Sequence, residues 1–107
     1  MKRKIELRWS DIDSLGHVND AAYLTLLDEC RAVLLAQTVP TLGHSYVVRH
    51  LSIDFDSELV REDSPVTVEV NIVTVGRTSV ALDEVLTSNS GRICATVSCI
   101  RDCPEFS

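Results

Sequence analysis

The hydrophobic and polar positions of this chain change period twice. Ile5, Leu7 and Trp9 alternate with Lys4, Glu6 and Arg8, the period of two of a half-buried strand. Ser10 to Asp20 is polar and broken by Gly16, which predicts a loop. From Ala21 to about Ala36 neither glycine nor proline occurs, and the period lengthens. At about 100° per residue, Tyr23, Leu26, Leu27, Cys30, Val33 and Leu34 gather on one face. Leu24 and Leu35 widen that stripe, which predicts a largely buried helix. Asn19 or Asp20 stands where a side-chain oxygen can cap the helix start, and Pro40 and Gly43 lie beyond its end.

The period of two then returns. Val47 to Phe55 sets Leu51, Ile53 and Phe55 against Ser52 and Asp54. Val66, Val68, Val70 and Ile72 form one face of a third strand, with Thr67, Glu69 and Asn71 on the other. After a turn at Gly76-Arg77-Thr78, Val80, Leu82, Glu84 and Leu86 alternate with Ala81, Asp83 and Val85. Ser88-Asn89-Ser90-Gly91 is a further turn, and Ile93, Ala95, Val97 and Cys99 mark a last strand. The order is strand, long helix, then four strands with short connections. Short connections favour antiparallel neighbours, so residues 1–107 read as one α+β domain with a helix packed on a five-stranded sheet. Such a sheet leaves edges and a face to cover, which predicts self-association through a two-fold axis.

Composition narrows the function. A chain of 107 residues supports a single core, and 45% hydrophobic with 24% charged residues is ordinary for a globular protein. Ten basic against sixteen acidic residues give a net charge of −6, which argues against nucleic-acid binding. No apolar run is long enough to span a bilayer, and no hydrophobic stretch follows Met1-Lys2-Arg3-Lys4, so a cytoplasmic protein is expected. Cys30, Cys94, Cys99 and Cys103 include no Cys-x-x-Cys pair. Cys94 and Cys99, five apart on one strand, are expected on opposite faces, so no metal site is expected and the cysteines read as free thiols. His44 and His50 read as surface residues.

The segment from Arg8 to Leu24 carries the chemistry. It sets Asp11, Asp13, Gly16, His17 and Asn19 in the loop that feeds a helix start. Unpaired N–H groups and the positive end of the helix dipole suit an oxyanion there. A carboxylate just upstream suits a general base or nucleophile on the same carbonyl. The same residues also suit caps and turns.

Trp9, Asp11, Asp13, Gly16, the run His17-Val18-Asn19-Asp20, Tyr23 and the triplet Glu29-Cys30-Arg31 resemble the signature of hotdog-fold acyl-CoA thioesterases of the 4-hydroxybenzoyl-CoA thioesterase-like group. That resemblance implies a five-stranded antiparallel sheet wrapped around one long central helix. It also implies an acyl-CoA thioesterase, without metal or organic cofactor, working as a homodimer or homotetramer. Asp13 matches the catalytic carboxylate, as nucleophile or as base for water. The backbone N–H of Asp20 falls where the helix start faces the thioester carbonyl, and His17 and Asn19 match the His-Val-Asn stretch. Asp20 stands in place of the second asparagine, and Leu15 where related plant acyl-carrier-protein thioesterases have an asparagine. Gly76-Arg77-Thr78-Ser79-Val80 resembles the turn before the family's fourth strand. Arg77, Thr78 and Ser79, with Tyr23, are thereby expected to bind substrate, Arg77 at the phosphates of coenzyme A.

Each of these residues has a plainer reading. Asp11 would pair with loop amides or Arg8, and His17 would hydrogen-bond the loop. Glu29 would make a salt bridge with Arg31 or Arg61 rather than serve as a second carboxylate. The rival functions are an acyl-carrier-protein thioesterase, a hotdog protein that binds acyl thioesters without cleaving them, and a purely structural domain.

Overall fold

The computed structural model describes residues 1–38 and 47–102, apart from the side chains of Leu35 and Thr38. Pro40, Gly43, His44 and Cys103 lie outside the described residues. The elements run β1 (Lys2–Ile5), α1 (Asp20–Thr38), β2 (Val47–Phe55), β3 (Val66–Val75), β4 (Ser79–Thr87) and β5 (Ile93–Asp102), with short 3-10 turns at Trp9–Asp11 and Arg61–Asp63. All neighbouring strands are antiparallel, in the order β1-β3-β4-β5-β2. Helix α1 lies across one face. This is the hotdog arrangement the sequence led us to expect.

The core follows from the two periods meeting. Tyr23, Leu26, Leu27, Cys30 and Leu34 of α1 are buried against Val66, Val68 and Val70 of β3 and Val80, Leu82 and Leu86 of β4. Burying a leucine of this kind stabilises the fold by about 1.5–3 kcal/mol. Leu24 departs from the expected stripe and is exposed.

Two local expectations are corrected. The first strand ends at Ile5, short of Trp9, and Trp9 sits in a 3-10 turn with 87% of its surface exposed. The pairing partner explains this. Ile5 is opposite Val66, and the next residue along β3 would be Pro65, which has no N–H to continue the ladder. The chain turns away instead, with Leu7 N–H donating to Ser64 Oγ at 2.9 Å.

The second correction concerns Cys94 and Cys99. Both are fully buried. The β4–β5 register shifts between Leu86 and Thr87, so Cys94 falls in a bulge without a partner in β4. A period-of-two count fails across a bulge, and Cys94 lies close enough to Tyr23 of α1 to raise the phenol's pKa, although burial is the larger cause.

One consequence of the topology governs the site. The start of β3 (Val68), the end of β4 (Leu86), the start of β5 (Ala95) and the end of β2 (Phe55) lie side by side. The β1–α1 loop joins them there, through Val18 N–H to Leu59 O at 2.8 Å. The turn Gly76-Arg77-Thr78 is at the other end of the sheet.

Candidate active site

The loop before α1 is held by its own aspartates. Asp11 is buried and accepts the Arg8 N–H at 2.8 Å, with the Arg8 guanidinium also against it. Its backbone carbonyl receives the Asn19 N–H at 3.1 Å and Asn19 Nδ2 at 3.3 Å. Asp11 thus takes the structural part, on the Arg8 and amide partners expected. Glu29 pairs with Arg8 at 3.7 Å, not with Arg31 or Arg61.

Asp13 closes a tight turn. Its Oδ1 accepts the N–H groups of Leu15 at 2.9 Å and His17 at 3.1 Å, while its own N–H donates to His17 O at 2.8 Å. Gly16 makes the turn possible, since its φ of 82° lies in the left-handed region that a side chain disfavours. The carboxylate is exposed, and its Oδ2 is free of hydrogen bonds among the described residues.

Asn19 is the helix cap. Its Oδ1 accepts the Ala22 N–H at 2.9 Å, so Asp20 is the first residue of α1 rather than its cap. The N–H groups of a first helical turn have no partner inside the helix, and the dipole makes that end positive.

These residues share one hollow of about 490 Å³. Asp13, His17, Asn19, Asp20 and Tyr23 line it from the loop and helix side. Phe55, Ser57 and Glu58, following the end of β2, form the opposite wall. Tyr23 and Phe55 meet edge to face, with ring centroids 5.1 Å apart, giving the hollow an apolar floor.

Glu58 is the residue that reading the sequence missed. Its Oε1 lies 3.0 Å from His17 Nδ1. A carboxylate on Nδ1 favours the tautomer with hydrogen there and leaves Nε2 as the acceptor. Nothing local to Asp56-Ser57-Glu58 marks it. The signal is the strand order, which sets the end of β2 beside the start of α1.

Arg77, Thr78 and Ser79 do not join this hollow within one chain. Arg77 and Thr78 occupy the β3–β4 turn and Ser79 opens β4, and the ten-residue β3 separates them from the loop, roughly 30 Å of extended chain. The sequence order of the motif carries no information about which end of the sheet each turn reaches.

Among the described residues, no group of three or more His, Cys, Asp and Glu side chains is placed to hold a metal ion, and no helix is long and apolar enough to cross a membrane.

Comparison with known proteins agrees with this fold. No curated protein matches the chain. A thioesterase from Thermus thermophilus, crystallised with coenzyme A and zinc, is 26% identical and superposes with a TM-score of 0.83 over 94% of this chain and 76% of its own. YbaW, a probable thioesterase from Escherichia coli, is 25% identical, with a TM-score of 0.81 over 96% of this chain and 81% of its own. The thioesterase superfamily matches residues 15–95. On that match and this fold, the chain belongs to the thioesterase superfamily, as a thioester hydrolase built on the hotdog fold.

Proposed function

We propose that the protein hydrolyses an acyl thioester of coenzyme A to the free acid and the thiol, with Asp13 as nucleophile or general base. The observation that carries this reading is the convergence of three chemistries on one hollow. Asp13, whose Oδ2 is free of hydrogen bonds among the described residues, Asp20 of the first helical turn and the His17–Glu58 pair all line it.

As nucleophile, Oδ2 attacks the thioester carbonyl, and the developing oxyanion is held by the Asp20 N–H. The C–S bond then breaks and leaves an acyl–aspartyl anhydride, which water cleaves to acid and free carboxylate. As base, Asp13 takes a proton from water, the hydroxide attacks, and the same C–S bond breaks. Either route releases a thiolate, already a good leaving group, so the chain needs no metal or organic cofactor. His17, oriented by Glu58, holds water by accepting its hydrogen at Nε2, and Asn19 keeps the helix start in place. Tyr23 and Phe55 receive the acyl group. The carrier is assigned to coenzyme A because the Thermus relative was crystallised with it; an acyl carrier protein presents the same thioester.

The reading includes a second copy. Sheet edge β2 is nine residues long and exposes Val47, Val48 and Phe55, whereas edge β1 has four residues. Two-fold antiparallel pairing of β2 with its copy sets the Val47 end of one chain beside the Phe55 end of the other. The Arg77-Thr78-Ser79 turn lies at the Val47 end, since Ser79 and Val47 both pair with Asp102. In such a dimer this turn approaches the partner's hollow, where Arg77 meets the carrier phosphates.

The test is hydrolysis of an acyl-CoA panel, short to long aliphatic plus benzoyl, by wild type and Asp13→Asn. Turnover that falls by at least about 100-fold in the variant supports the reading. No turnover, with thermal stabilisation by one ester, replaces it with a thioester binder. Neither turnover nor stabilisation overturns both.

A further inference from the structure

A second layer of contacts stands behind Glu58. Arg92, in the connection before β5, donates from Nη2 to the Glu58 backbone carbonyl at 2.8 Å and to Asp63 Oδ2 at 2.8 Å. Its Nε donates to Ser57 Oγ at 3.1 Å, and Ser57 Oγ donates to Ile93 O at 2.8 Å. Asp63 is itself buried and fixed, accepting the Val60 N–H at 2.9 Å. The connection that carries Arg92 is also anchored: Asn89 Nδ2 donates to Glu62 O and Ser64 O, each at 3.0 Å.

We infer that Arg92 is a positioning residue for catalysis, fixing the backbone of Glu58 so that its carboxylate meets His17 Nδ1. This rests on the part given to His17 and Glu58 above. A guanidinium suits the task because the two hydrogens of Nη2 serve the Asp63 carboxylate and the Glu58 carbonyl while Nε, fixed in the same plane, holds Ser57 Oγ. The hydrogen bond it donates to Asp63 raises the Arg92 pKa further, so its charge is constant over the working range. The neighbouring backbone has other anchors: Asp56 N–H and Ser57 N–H both donate to Cys94 O, at 2.9 and 3.3 Å, and Leu59 O accepts Val18 N–H at 2.8 Å. Loss of Arg92 therefore frees Glu58 locally and leaves the sheet intact. The set Asp63, Arg92, Glu58, His17 joins the 3-10 turn, the β5 lead-in, the β2 exit and the active loop.

The experiment compares Arg92→Met and Arg92→Lys, each in the wild-type and Glu58→Ala backgrounds. The readouts are kcat and KM on the best ester of the panel, the melting temperature, and the imidazole nitrogen resonances of His17. Arg92→Met is expected to lower kcat about tenfold, because small displacements of a positioned group are costly. KM is expected to stay within about twofold, since the substrate is not touched. Lysine restores the melting temperature through Asp63 but not kcat, because its flexible stem has no rigid plane to hold Ser57 Oγ and the Glu58 carbonyl together. In Glu58→Ala, Arg92→Met adds no further loss, and in the wild-type background it moves the His17 resonances. An equal loss of kcat in both backgrounds, or unmoved His17 resonances, overturns the inference. A wild type without turnover counts against the thioesterase reading alone, and the resonances then decide the part played by Arg92.

Discussion

The Arg31 guanidinium and the Glu84 carboxylate meet fork to fork inside the core, although 53 residues separate them. Arg31 Nη2 donates to Glu84 Oε1 at 2.6 Å, and Nε donates to Oε2. Arg31 is 3% exposed and Glu84 1%. Burial disfavours the arginine cation, but the hydrogen bonds and charge of Glu84 outweigh it and raise its pKa. Arg31 also reaches Asp28 at 3.4 Å, which in turn meets Arg101 at 3.4 Å. The pair fastens the middle of α1 to β4.

Removing one partner strands the other as a buried charge. Glu84→Leu alone is expected to destabilise the fold by about 3–5 kcal/mol, and Arg31→Met by a similar amount. The double variant, with both groups apolar, recovers most of the loss. Urea denaturation of the four proteins measures this. Single variants within about 0.5 kcal/mol of wild type would contradict it.

His17 and Glu58 are expected to act as one unit. Glu58→Gln keeps the shape and removes the charge, and kcat should fall by at least about tenfold. Adding it to His17→Asn should cost nothing more, because the partner it orients is gone. Independent, multiplying losses would show that the 3.0 Å contact is not used in turnover.

Gly16→Ala isolates the turn that aims Asp13. A Cβ at Gly16 meets nothing within 4 Å, so its cost is conformational and not a clash. At a φ of 82° that cost is about 1 kcal/mol or slightly more. The expected signature is a small drop in melting temperature with a larger drop in kcat, as the Asp13 turn relaxes. Unchanged kcat would separate the turn geometry from catalysis.

Stability is expected to decline in alkali. Burial is the first cause that raises the thiol pKa of Cys30 and of Cys99 above the ordinary 9.0. A proton held more tightly in the folded state contributes fully below the unfolded pKa and is lost as pH rises past it. Melting temperature should therefore fall from about pH 9 upward, and less steeply in a Cys30→Ala, Cys99→Ala protein. The same burial keeps both thiols unreactive toward a disulfide dye until the protein unfolds. Rapid labelling of either in the native protein would refute this account.

The exposed β2 edge predicts a dimer in solution. Val47→Lys with Val48→Lys places charge on that edge, which disfavours strand pairing. Sedimentation should show a dimer for wild type and a monomer for the variant, with activity lost in parallel. A wild type that is active as a monomer would remove the partner turn at Arg77 from the site.

The sequence by itself determined what short-range periodicity encodes. The limits of β2, the faces of β3 and β4, and the helical stripe of Tyr23, Leu26, Leu27 and Cys30 follow from where apolar side chains recur. A turn at Asp13 and a cap at Asn19 or Asp20 were legible too, because their partners lie within a few residues. Glu84 could be placed on the buried face of its strand, but Arg31 could not be named as the partner that makes its burial tolerable.

Tertiary structure decided whatever depends on strand order. Chain order runs β2 to β5, yet β2 lies at the sheet edge beside β5, and only this pairing brings Glu58 to His17 and Arg92 to Glu58. The same order sends Arg77 to the far end. It also ends β1 at Ile5, where its partner strand β3 runs into Pro65, and turns Trp9 out of the ladder. Hydrogen-bond ladders and buried charges are satisfied between segments far apart in the chain, so no local pattern records which segments those are.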